Sequence, residues 1–92
     1  FRSVYATRVT FENGESRPAV TNIGVRPTVD DGDRVTVEGF ILDFQGDLYG
    51  QTVRMEFYKR LRGERKFPSL EALKDEVMRN AEQTRAYFST QP

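Results

Sequence analysis

Glu38 opens the most apolar short run of the chain, Val37-Glu38-Gly39-Phe40-Ile41-Leu42-Asp43-Phe44. Alternate side chains of a strand share a face, so Glu38 falls with Phe40, Leu42 and Phe44, and Gly39, Ile41 and Asp43 point the other way. An ionised carboxylate on an apolar face is costly unless it is partnered or reaches water. The residues alone leave two readings open. One is a strand-end surface ion pair, with Arg34 or Arg54 as partner. The other is a general base, held stiffly by its strand at the mouth of a pocket, where partial desolvation brings its proton affinity toward the useful range. Gly39 beside it would let a ligand or a second backbone come close.

The rest of the composition narrows the chemistry. The 92 residues include neither His nor Cys. That excludes a disulfide framework, a thiol nucleophile, a serine–histidine triad and a His or Cys zinc site. Acid–base work near neutral pH therefore falls to Asp, Glu, Lys or Tyr. A hard metal held by oxygen atoms, such as magnesium, fits this composition. With 14 basic and 14 acidic residues the net charge is zero, which weighs against a dedicated nucleic-acid binder. One local cluster stands out, Lys59, Arg60, Arg62, Arg65 and Lys66, and it reads either as a solvated face or as an anion site. Asp30-Asp31-Gly32-Asp33 reads as a polar turn, since it lacks the pattern of a calcium loop. No signal peptide and no apolar run long enough to span a bilayer is visible, so a cytoplasmic protein without a membrane partner is expected.

These candidates must be positioned by a β-rich framework. Ser3 to Phe11 alternates, and Asn13-Gly14 predicts a tight turn into an antiparallel return strand from about Arg17 to Val25. Pro27 ends that strand, because proline removes a ladder donor. Val35 to Phe44 reads as a third strand, Gln45 to Gly50 as a turn, and Gln51 to Arg60 as a fourth strand with Val53, Met55 and Phe57 on its buried side. Four consecutive antiparallel strands with short connections point to a barrel or a strongly curved sheet. The period then changes. Leu70, Leu73, Val77, Ala81, Thr84 and Phe88 predict one amphipathic helix over about 69–89, with Ser69 as N-cap and Asp75–Arg79 as an i,i+4 pair. One domain, 1–92, is expected.

Five words in order carry a family resemblance. They are Asn22-Ile23-Gly24-Val25-Arg26-Pro27-Thr28, the Glu38 strand, Asp47-Leu48-Tyr49-Gly50, Phe57-Tyr58-Lys59-Arg60-Leu61-Arg62, and Lys66-Phe67-Pro68-Ser69-Leu70-Glu71-Ala72-Leu73. Together they resemble the riboflavin kinase module at the C-terminal end of bacterial bifunctional riboflavin kinase/FAD synthetases. Ser3-Val4-Tyr5-Ala6 is similar to the opening strand of that module. The resemblance implies a mostly β fold, an antiparallel Greek-key barrel with one C-terminal helix, and normal fusion to an N-terminal adenylyltransferase module. It implies transfer of the ATP γ-phosphoryl group to the 5′-hydroxyl of riboflavin, giving FMN and ADP, with Mg2+ accompanying ATP.

The resemblance also assigns roles. Glu38 matches the catalytic base. Arg62 and Phe67 match the flavin-side segment, although Phe67 also suits a hydrophobic residue ahead of the helix cap and Arg62 a solvated charge. Gly24, Arg26 and Thr28 match the nucleotide-side loop. The family's glycine-rich Pro-Thr-Ala-Asn segment, which holds nucleotide and metal, lies upstream of residue 1. The barrel is therefore expected to be incomplete, without metal ligands of its own, inactive alone and open to self-association through unpaired edges. The competing expectation is a non-catalytic small β-barrel that binds a ligand or partner through residues 59–66.

Overall fold

The computed structural model describes residues 2–27, 32–46 and 48–90. The chain forms β1 (Arg2–Thr10), β2 (Ser16–Pro27), β3 (Asp33–Ile41), β4 (Arg54–Gly63) and the helix α1 (Leu70–Ser89). The strands make one sheet in the order β3-β2-β1-β4, every neighbour antiparallel. The β1–β2 hairpin closes as the Asn-Gly pair predicts. Gly14 adopts a φ of +90°, and Asn13 Oδ1 accepts from the Glu15 amide at 2.9 Å. β3 and β4 are the two outer strands among the described residues, so the sheet is open rather than a closed barrel.

Register fixes what shares a face. Val4 and Ala6 of β1 lie beside Asn22 and Val20 of β2, which oppose Glu38 and Phe40 of β3. The helix packs on this face, where Val4, Val20, Leu42 and Ala81 form a buried cluster. The opposite face holds Val9 and Ala19, joined with Phe11 by Ile41, Phe44, Leu48 and Met55.

Three expectations are corrected by this geometry. β3 stops at Ile41, and Asp43 takes a left-handed φ of 55°. Leu42 stays on the helix side, whereas Phe44 is swung to the other face and packs on Phe11 with ring centroids 5.0 Å apart. Glu38 therefore does not share its face with Phe44. In β4, register shifts at Val4/Tyr5 and Ala6/Thr7 break the simple alternation, and this outer strand leaves Phe57 and Tyr58 about half exposed. In α1 the apolar stripe is displaced. Leu70 is 82% exposed, and the buried positions are Glu76, Asn80, Ala81 and Thr84.

The helix start is as expected: Ser69 Oγ accepts from the Ala72 amide at 3.1 Å. Ser69→Ala should cost about 1 kcal/mol, read as a lower denaturation midpoint with an unchanged slope. At the other end Arg85 donates to both Asp43 oxygens, at 3.1 and 3.4 Å, tying α1 to the end of β3. That hydrogen bonding with Asp43 holds the Arg85 pKa above its ordinary value. Arg79 pairs with Glu76 rather than with Asp75. The buried carboxylate wins because water screens it less.

Candidate active site

Between the helix side of the sheet, the segment after β4 and the first half of α1 lies a cavity of about 520 Å³. That volume falls within the usual range for a small-molecule site, about 300–1,000 Å³. Its floor is apolar, from Val4 and Val20 of the sheet and Leu73 and Val77 of the helix. Its polar groups come from three places: Asn22, Glu38 and Arg62 from the sheet, Glu64 and Arg65 from the connection after β4, and Asn80 from α1.

Glu38 stands at the rim. Its register partner is Asn22, and its side chain is exposed to solvent yet lines the cavity. The sheet is covered by the helix lower down, at Leu42, so the Glu38 end of β3 is not core; Phe40 is 49% exposed there. Among the described residues Glu38 makes no ion pair, with Arg34, Arg54 or any other cation. The surface pair with Arg34 or Arg54 is thus not formed. Asn22 adds a feature that sequence reading missed as a site residue. Its Oδ1 is buried without a hydrogen-bond partner among the described residues, an unusual state for a buried acceptor.

On the opposite wall, Arg62 and Arg65 both lie over the Phe67 ring, with guanidinium carbons 5.5 and 5.2 Å from its centroid. These are cation–π distances. Arg62 is not a solvated charge. Its side chain is only 20% exposed, and its Nε donates to Asn80 Oδ1 at 3.0 Å and pairs with Glu76 Oε2 at 3.3 Å. Glu76 also takes Arg65 at 3.3 Å and Arg79. Sequence reading placed Glu76 nowhere. The signal was available: Glu76 and Asn80 are an i,i+4 polar pair beside Val77 and Ala81, on turns that read as core.

The basic cluster does not act as one patch. Arg62 and Arg65 face the cavity, Arg60 donates to Ser3 Oγ on the other face of the sheet, and Lys59 lies over Tyr87 near the helix end. The nucleotide-side candidates stand apart. Gly24 is buried in β2 opposite Thr36 and does not line the cavity. Arg26 extends β2 opposite Arg34, but its side chain lies outside the described residues, as does Thr28. Among the described residues no group of three or more His, Cys, Asp or Glu side chains is placed to hold a metal ion.

An open antiparallel sheet with a helix across one face, and a carboxylate facing an arginine–aromatic clamp over a small-molecule cavity, defines a ligand-binding α+β module. Residues 2–88 match the family model described as Flavokinase: Riboflavin kinase. The chain belongs to that family. A bifunctional riboflavin kinase/FMN adenylyltransferase of Haemophilus influenzae is 37% identical over 89 residues, covering 97% of this chain and 29% of that protein. The protein of the same description from Pseudomonas fluorescens is 43% identical, over 90% of this chain and 26% of that one. Its Escherichia coli K12 counterpart is 38% identical, over 95% and 28%. The chain thus spans between 26% and 29% of the length of these relatives. A crystal structure described as a macrolide-efflux protein from Streptococcus pneumoniae superposes with a TM-score of 0.82 at 33% identity, covering 89% of this chain and 26% of that one. Among the described residues no helix is long and apolar enough to cross a membrane.

Proposed function

We propose that this chain is the flavin-phosphorylating module of a riboflavin kinase/FMN adenylyltransferase, with riboflavin and ATP as substrates and a cytoplasmic setting. One observation carries the reading: Glu38 lines one cavity of small-molecule size together with Arg62 and Phe67, which lie far from it in sequence. A flavin ring fits between an apolar floor and the Phe67 ring, with Arg62 offering hydrogen bonds to its polar edge. The ribityl tail then runs toward the rim. Glu38 accepts the proton of the 5′-hydroxyl as its oxygen bonds the γ-phosphorus; the bond from that phosphorus to the bridging oxygen breaks, and ADP leaves. Seating the flavin displaces water from Glu38, whose strand already fixes its direction.

ATP enters as its magnesium complex, and no step is assigned to a metal held by the residues described here. Gly24, Arg26 and Thr28 remain the proposed nucleotide-side segment. The outer edges of β3 and β4 are proposed as the places where further strands, or a second copy, would pair.

The test is a flavin fluorescence titration together with a coupled phosphorylation assay on the full polypeptide in which this chain occurs. Riboflavin should bind and be converted to FMN in the presence of ATP and Mg2+. Phe67→Ala should weaken riboflavin binding by about threefold to tenfold, the worth of one aromatic contact, with ATP affinity unchanged. Salt-sensitive binding to another partner and no flavin response would instead favour a non-catalytic binding domain.

A further inference from the structure

Glu76 is the most buried ionisable side chain of α1, at 6% exposure, and the proposed phosphoryl-transfer chemistry does not use it. It lies next to Val77 and one turn before Asn80, both of which line the cavity, and collects Arg62, Arg65 and Arg79. Asn80, one turn further along, donates Nδ2 to Glu76 Oε2 at 3.3 Å and accepts from Arg62 Nε through its own Oδ1 at 3.0 Å. The Asn80 amide is also held by Gln83, to which Nδ2 donates at 2.9 Å. Arg62 is thereby committed on two sides: Nε to the helix and Nη1 to the Gly63 carbonyl at 3.4 Å. Among the described residues its Nη2 carries no hydrogen bond. That leaves one donor edge of a fixed guanidinium, stacked on Phe67, for a ligand in the cavity.

Resting on the flavin-site reading above, we infer that Glu76 is a positioning residue: it sets Arg62 and Arg65 over the Phe67 ring and so orders the arginine–aromatic wall before the flavin arrives. A buried carboxylate is retained where its partners satisfy it, and here Arg62 at the end of β4 and Arg65 in the connection after it both line the cavity. Without the carboxylate, Arg62 at the end of β4 and Arg65 in the connection after it repel each other and are drawn out to water. Phe67 then loses the planes that hold it, and the flavin must order the loop as it binds, which weakens binding. Arg79 is 61% exposed and reaches the same carboxylate from the helix itself, so it contributes charge balance rather than shape.

The experiment compares wild type, Glu76→Gln and Glu76→Asp in the full polypeptide, by riboflavin titration, steady-state kinetics and thermal melting. Glu76→Gln should raise the riboflavin Kd and KM about tenfold, leave the KM for ATP within about twofold, and depress kcat far less than KM. Glu76→Asp, which keeps the charge on a shorter stem, should fall between the two and serves where the glutamine variant does not fold. In a cycle with Arg62→Ala the two losses should be far from additive, because Glu76 acts through that arginine. A folded Glu76→Gln or Glu76→Asp protein with unchanged riboflavin Kd and only a lower melting temperature overturns the inference and leaves the site reading standing. A wild-type protein that binds no flavin ends both. A wild-type protein that binds flavin without phosphorylating it ends the catalytic reading alone, and the Kd comparison still decides the role of Glu76.

Discussion

Glu38→Gln should keep its flavin and lose its turnover. The amide is isosteric with the carboxylate but accepts no proton, so kcat for riboflavin phosphorylation should drop by about 10²–10⁴, the usual contribution of a general base. The riboflavin Kd should stay within about twofold. Stability should hardly move: Glu38 is exposed and takes part in no ion pair among the described residues, and surface changes of this kind stay within about 0.5 kcal/mol. The combination is diagnostic because KM-only effects report binding, whereas a selective loss of kcat reports the transition state. A variant that keeps more than about a tenth of wild-type kcat would make Glu38 a bystander. One that loses flavin and unfolds would mark it as structural.

Leu42→Ala should be the most damaging change outside the site. Leu42 is fully buried, closes the cluster of Val4, Val20 and Ala81, and its amide donates to Pro18 O at 2.9 Å. It joins β1, β2 and α1 just past the end of β3. Truncation removes its apolar contacts and leaves a void that the sheet and helix close only in part, costing about 2–5 kcal/mol. A domain of this size has about 5–15 kcal/mol in total, so the denaturation midpoint should fall sharply. Riboflavin affinity should fall with it, since Val4 and Val20 also floor the cavity. Leu70→Ala is the control: at 82% exposure it should stay within about 0.5 kcal/mol, although the helical stripe places Leu70 among core residues. Equal losses for the two variants would show that α1 docks in a different rotation.

The two outcomes separate what the residues state locally from what they state only together. Asn13-Gly14, Ser69 and the period-two run into β3 are local signals. Each depends on backbone angles or on a neighbouring amide, so the hairpin, the helix start and the Glu38 strand were legible from composition and spacing. The ordered words from Asn22 to Leu73 identified the family for the same reason, being short strings with their own meaning. Where a single residue redirected the chain, the reading failed. The left-handed Asp43 moved Phe44 to the other face, and two register shifts in β4 undid its alternation.

By itself the sequence determined the element types and the family, and it singled out Glu38 as the candidate base in a chain without His or Cys. Only the tertiary structure decided that Glu38, Asn22, Arg62 and Phe67 meet at one cavity, and that Glu76 stands behind the arginines. The reason is range. Helix caps and turns are settled by hydrogen bonds a few residues long, whereas a cavity depends on sheet register and on the rotation of α1. Those are set by contacts such as Leu42 with Ala81 and Arg85 with Asp43, which no local spacing contains.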